Sequence, residues 1–212
     1  VTINPVVKLW RRARRQRELP SQEQLDEALG RVGWEKLELN PKSRTVRLVE
    51  PGMRLDVGGI AKGYASDSAL AVLREAGITR ALVAGAGDIV VGDPPPGREG
   101  WIVGIASIDP DGVRYSHIVD PRTGLGLTSR GSVTVVARDG TTSDSLATAI
   151  SVLGPEQGLA LAEQLEGVDA LMVWAVAGEP EPSFRQTSGF DRWLGAAPES
   201  KEEIPQVGTP ES

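Results

Sequence analysis

Leu55-Asp56-Val57-Gly58-Gly59-Ile60-Ala61-Lys62-Gly63-Tyr64-Ala65 decides the reading of this chain. Glycines at a turn that feeds a helix let backbone approach a ligand closely, and a helix N-terminus favours anions. Lys62 adds a point charge suited to phosphate. The stretch fits neither the P-loop nor the dinucleotide fingerprint, so taken alone a tight structural turn explains it about as well. The helix it opens runs to about residue 76 and is stopped by Gly77. Residues 80–91 then read as a strand, a glycine turn and a second strand.

Upstream, residues 1–10 alternate loosely and predict a buried strand or loop. The Arg-rich stretch of Arg11, Arg12, Arg14, Arg15 and Arg17 reads as a solvated helix face or an exposed loop. Ser21 opens a helix with the S-Q-E-Q capping pattern. Its apolar stripe is Leu25, Ala28, Leu29 and Val32, with Gly33 as the stop. Leu37-Glu38-Leu39 and Thr45-Val46-Arg47-Leu48-Val49 flank Asn40-Pro41-Lys42-Ser43 as a hairpin with an extended turn. Downstream, 101–106 and 131–137 read as strands and 143–153 and 155–165 as helices. Residues 169–177 read as the last core strand. Strand pairs and helices occur without strict alternation, which predicts an α+β fold. Residues 1–195 form one domain on this reading, and 196–212, rich in Pro, Glu, Ser and Gly, a disordered tail.

The 212 residues carry 23 Lys+Arg against 29 Asp+Glu, a formal charge of −6, so no global field draws the chain to nucleic acid. Cysteine is absent, which excludes disulfides and thiolate metal sites within these residues. No apolar run approaches the length of a membrane span.

Three further strings carry chemistry. Asp144 and Thr148, four apart on a predicted helix, share a face. A carboxylate and a hydroxyl suit Mg²⁺, a hard cation that takes oxygen ligands, although for the pair in isolation a capping Asp with a packed Thr is the preferred reading. His117, the single histidine, precedes Asp120-Pro121-Arg122-Thr123-Gly124. An imidazole can accept a hydroxyl proton near neutrality. Gly85-Ala86-Gly87-Asp88 is a glycine turn with one acid, either a plain hairpin turn or a ligand contact.

In order, D-V-G-G-I-A-K-G-Y-A, G-D-I, W-I-V-G-I, S-H-I-V-D-P-R-T-G and S-D-S-L-A-T-A resemble the FAD:protein FMN transferase family, also called the ApbE or flavin transferase family, over residues 2–193. The resemblance implies an enzyme that binds FAD and Mg²⁺ and moves FMN onto a Thr or Ser hydroxyl of a partner protein, releasing AMP. It implies Asp144, Thr148 and the Ala61 carbonyl as metal ligands. Asp56, Gly59, Lys62, Gly87, Asp88 and His117 are the implied cofactor contacts, and His117 and Asp144 the implied catalytic residues. A periplasmic or cell-envelope location, with a membrane anchor outside these residues, is implied as well. Two departures stand out. The family carries a long segment before the point where Val1 stands, and a further strand between Ile105 and Asp109. An FAD pyrophosphatase, with water replacing the protein hydroxyl, and a non-catalytic flavin-binding protein are the alternatives.

Overall fold

The computed structural model describes residues 1–105, 118–127, 131–175 and 181–195. His117, residues 106–109 and the tail from 196 lie outside the described residues. The first element corrects the sequence reading: it is a helix, α1 (Asn4–Gln16), not a strand or loop. Pro5 presets the backbone of its first turn. Val6, Leu9, Trp10 and Ala13 recur at helical spacing, a period that a ten-residue window ending at Trp10 barely reveals. Val6 and Ala13 are buried, and Val6 packs with Leu25 and Ala28 of α2 (Gln22–Leu29). The five arginines are exposed, as a solvated helix face requires. The capping box forms: Ser21 Oγ accepts from Gln24 N at 3.2 Å, and Gln24 Oε1 accepts from Ser21 N at 3.0 Å. The helix closes at Gly30, earlier than the stripe predicts, yet Val32 still packs on the same cluster.

The predicted hairpin is present as β1 (Leu37–Asn40) and β2 (Thr45–Leu48). Helix α3 (Ala61–Glu75) follows the glycine junction. Strands β3 (Leu82–Gly85) and β4 (Asp88–Val91) then pair antiparallel through Ala86 and Gly87, both at positive φ (50° and 103°), the backbone a two-residue primed turn requires. The strand predicted at 101–106 is not formed over the described residues 101–105, where Ile102 is 77% exposed. Its backbone has no ladder partner among the described residues, and without one the N–H and C=O groups of a strand go unpaired.

The second half is an antiparallel sheet of order β5 (Gly131–Val136), β6 (Asp169–Trp174), β7 (Ser183–Gln186). β6 is therefore not the last strand, as the sequence reading has it; β7 continues the sheet. Helix α4 (Gly140–Glu163) covers it, burying Ile150, Leu159 and Ala162 against Ala170 and Met172. The two helices predicted on either side of residue 154 are the two limbs of α4, broken where Gly154 takes φ 79° and ψ 179° before Pro155. A closing 3₁₀ turn (Phe190–Trp193) is clasped by buried Asp169, which accepts from Trp193 Nε1 at 2.7 Å and from Arg192. The mixed helices and antiparallel strand pairs make this an α+β fold. No helix among the described residues is long and apolar enough to cross a membrane.

Candidate active site

The site is built where α3 and α4 cross. A Cβ on Gly63 would lie 2.0 Å from the Gly140 carbonyl oxygen, and one on Gly140 would lie 2.5 Å from Val90 Cγ2. Only hydrogen at both positions lets the two first turns touch backbone to backbone. Asp67 of α3 locks the crossing: Oδ1 accepts from Gly140 N at 2.7 Å, and Oδ2 from Thr141 N at 2.8 Å and Thr141 Oγ1 at 2.7 Å. Asp139 caps α4 through Thr142 N at 2.7 Å. That hydrogen bond with Thr142 holds the Asp139 carboxyl below the usual range.

Asp144 is thus not the helix cap. It lies in the second turn of α4 and is 3% exposed. Its Oδ2 accepts from Gly63 N at 3.0 Å and its Oδ1 from Lys62 Nζ at 2.8 Å. The same ammonium lies 2.9 Å from Asp88 Oδ2 at the start of β4. Burial works against a charge on Lys62, but hydrogen bonds to Asp144 and Asp88 outweigh it and hold its pKa above the ordinary lysine value. The lysine is therefore cationic throughout the neutral range. Thr148, one turn beyond Asp144, faces the glycine junction: a Cβ on Gly59 would come 3.2 Å from Thr148 Oγ1. Gly59 and Gly63 flank Ala61: the Gly63 amide donates to Asp144, and Gly59 leaves little room for a side chain beside Thr148.

The predicted ligand set is the Asp144 carboxylate, the Thr148 hydroxyl and the Ala61 carbonyl, with the Asp88 carboxylate beside it on the same lysine. Among the described residues no group of three or more His, Cys, Asp and Glu assembles. A single carboxylate with other oxygens, completed by water and phosphate, is a set that fits Mg²⁺ and not the softer transition metals.

Of the predicted site residues, Lys62, Asp88 and Asp144 meet directly, and Gly59 and Thr148 meet at the edge of the same crossing. Gly87 supplies the positive-φ turn that presents Asp88. Asp56 does otherwise. Its Oδ1 accepts from Gly58 N at 2.9 Å, Arg11 lies 3.7 Å from Oδ2, and its N–H donates to Val1 O at 2.7 Å. Those contacts tie α1 and Val1 ahead of it to the glycine junction. The D-P-R-T-G turn after His117 is also firmly built. Asp120 accepts from Arg122 N and Nε at 2.8 and 2.9 Å, and the Arg122 hydrogen bonds hold its carboxyl below the usual range despite burial. Arg122 Nη2 reaches Val152 O at 3.1 Å, and Trp10 Nε1 reaches Gly124 O at 2.6 Å. Sequence reasoning missed Asp67 and Asp139. Asp139, three residues before Thr142, had a readable capping signal; Asp67 had none, since its partners lie more than seventy positions away.

The family profile described as "ApbE family" matches residues 1–111 and 107–172. The chain belongs to the ApbE family. Among its relatives, the FAD:protein FMN transferase of Treponema pallidum is 32% identical over 226 residues, covering 87% of this chain and 61% of its own length. That of Klebsiella pneumoniae is 31% identical over 196 residues, covering 82% and 62%. The chain thus spans about three-fifths of the length of these ApbE proteins. The flavin transferase ApbE of Vibrio cholerae, in a histidine-to-glycine mutant form, superposes with TM-score 0.79 at 27% identity, covering 92% of this chain and 70% of that one. The ApbE protein of Thermotoga maritima gives 0.74 at 28%, covering 90% and 70%. The profile match comes in two pieces meeting at 107–111, beside the point where the sequence reading expects a strand of the family to be missing. The Treponema alignment, at 226 residues, is longer than this whole chain of 212, so that ApbE relative carries residues within the match that this chain lacks.

Proposed function

We propose that this chain forms the metal-and-phosphate side of an FAD:protein FMN transferase. The acceptor is a Thr or Ser hydroxyl on a partner protein. Its oxygen forms a bond to the FMN-side phosphorus of FAD, the bond from that phosphorus to the bridging oxygen breaks, and AMP leaves with that oxygen. The observation that carries the reading is buried Asp144, held by Gly63 N and Lys62 at a backbone-to-backbone helix crossing, in a chain 32% identical to an FMN transferase.

Asp144, Thr148 and the Ala61 carbonyl would hold Mg²⁺, which when bound neutralises pyrophosphate charge and polarises the phosphoryl oxygens. Lys62, cationic and 40% exposed at its side chain, presents an ammonium to phosphate oxygens. Gly63 N keeps Asp144 in one rotamer, and Asp67 keeps the two helices from sliding apart. Gly58 and Gly59 let backbone come close to the pyrophosphate. His117 is assigned the acceptor's hydroxyl proton from its motif.

Incubation of the protein with FAD and Mg²⁺, with and without a candidate acceptor, tests this. AMP should appear together with flavin covalently bound to the acceptor by mass spectrometry, and both should vanish with EDTA. AMP and free FMN formed equally without acceptor would replace transfer by hydrolysis. FAD recovered intact under all conditions would leave only a flavin-binding role.

A further inference from the structure

Lys62 is placed more specifically than a phosphate contact requires. Its ammonium bridges two carboxylates on different elements, 2.8 Å from Asp144 Oδ1 on α4 and 2.9 Å from Asp88 Oδ2 on β4. The two acids are unequal. Asp144 is 3% exposed and its Oδ2 is already engaged by Gly63 N, so Oδ1 is the oxygen left for a cation. A buried carboxylate without a counter-charge is strongly unfavourable. Asp88 is 15% exposed and is fixed by the two-residue turn before it. The lysine side chain itself is 40% exposed, which leaves it room to move. An ammonium and a divalent cation on the same carboxylate oxygen would repel each other at close range.

We propose that Lys62 is the resident counter-cation of Asp144, that it competes with Mg²⁺ for Oδ1, and that Asp88 retains the ammonium once a metal takes its place. This rests on the reading of Asp144 as a metal ligand. In the metal-free protein, Lys62 keeps the acid compensated and the α3–α4 crossing assembled. In the loaded protein the same charge stays at the rim on Asp88, beside the phosphates. Asp88 is then a positioning residue that sets metal affinity through Lys62.

Calorimetric titration of the whole chain with Mg²⁺, without FAD, tests this. Loss of the competitor in Lys62→Met should tighten Mg²⁺ binding by about two- to fivefold, the scale of a partly exposed ion pair. Asp88→Asn leaves the displaced ammonium without a partner and should weaken binding by a similar factor. In a Lys62→Met background, Asp88→Asn should have almost no effect, because coupling between the two sites is the signature of a shared lysine. Asp88→Asn keeps the Lys62–Asp144 pair, so it remains a valid test if Lys62→Met folds poorly. Unchanged affinity in Asp88→Asn, or equal weakening by Asp88→Asn in both backgrounds, overturns the proposal while leaving the metal site standing. Absence of saturable Mg²⁺ binding by the wild type overturns both.

Discussion

The α3–α4 crossing and the segment at 101–105 are built in opposite ways. At the crossing, carboxylates are paired: Asp67 accepts three hydrogen bonds, and Asp144 takes one from a backbone amide and one from Lys62. Two glycines remove the space a side chain would need. At 101–105, Ile102, Val103 and Ile105 are 77%, 47% and 47% exposed, and the outward residues Leu82, Ile89 and Val91 of the β3–β4 hairpin are exposed as well. A short apolar run left exposed beside exposed apolar residues of a hairpin is a surface without a neighbour. The crossing is therefore held by paired polar groups, while the apolar face at 101–105 and on the hairpin stands open. The contrast coincides with the two-piece family match at 107–111 and with the shorter span of this chain relative to its ApbE relatives.

That contrast can be broken by mutation. The largest effect expected is on chemistry: His117→Ala should slow flavin transfer by roughly 10²–10⁴-fold, as for a lost general base, and flatten the acidic limb of the pH–rate profile. Coincident profiles for the two proteins would reduce His117 to a structural residue. Next comes stability. Gly63→Ala forces a methyl group into the Gly140 carbonyl and should cost about 3 kcal/mol, the upper range for overpacking, measured by urea denaturation. A midpoint equal to wild type would mean that the helices do not touch there.

A smaller effect is expected from acid. Asp120 and Asp169 both hold their carboxyls below the ordinary value of 3.8: Asp120 through Arg122, and Asp169 because Trp193, Arg192 and Thr187 outweigh its burial. Depressed carboxyls contribute stability that is present above the ordinary value and is lost as pH falls through the folded one. Melting temperature should therefore drop steeply below about pH 4, and Asp120→Asn should be less acid-sensitive than wild type, although less stable at pH 7. The smallest effect belongs to the open side. Ile102→Ser removes an exposed side chain and should change stability by within about 0.5 kcal/mol. A loss of several times that would place a packing partner on Ile102.

The elements legible in the sequence were those with local chemical punctuation. Ser21 and Gln24 marked a cap, Ala86-Gly87 a turn, and Gly154-Pro155 a break in a helix, and each is found. Helix α1 was misread because its stripe reaches Ala13, inside the arginine run, while the window that suggested a strand stopped at Trp10. The strand at 101–106 was misread because a short apolar run suggests a strand but pairing makes one. β7 was missed because S-F-R-Q is too short to show a period. For the site, Lys62 and Asp144 lie 82 positions apart, so no spacing rule could join them. Each was singled out by its own local pattern, only the resemblance to the ApbE family put them in one site, and the crossing of Gly63 and Gly140 is the physical reason they meet. Asp56 lies in the same motif as Lys62, and its described side-chain contacts are to the Gly58 amide and Arg11.

Release of AMP from FAD at saturating Mg²⁺, compared between wild type and Asp144→Asn, tests the central claim most directly. The substitution keeps an oxygen for Gly63 N and removes the charge that would hold the cation. AMP release should fall by at least about 10²-fold, the scale of a lost electrostatic contribution to phosphoryl transfer, while the melting temperature in EDTA shows a fold still intact. AMP release by Asp144→Asn within about threefold of wild type, a difference of well under 1 kcal/mol in barrier, would contradict the account.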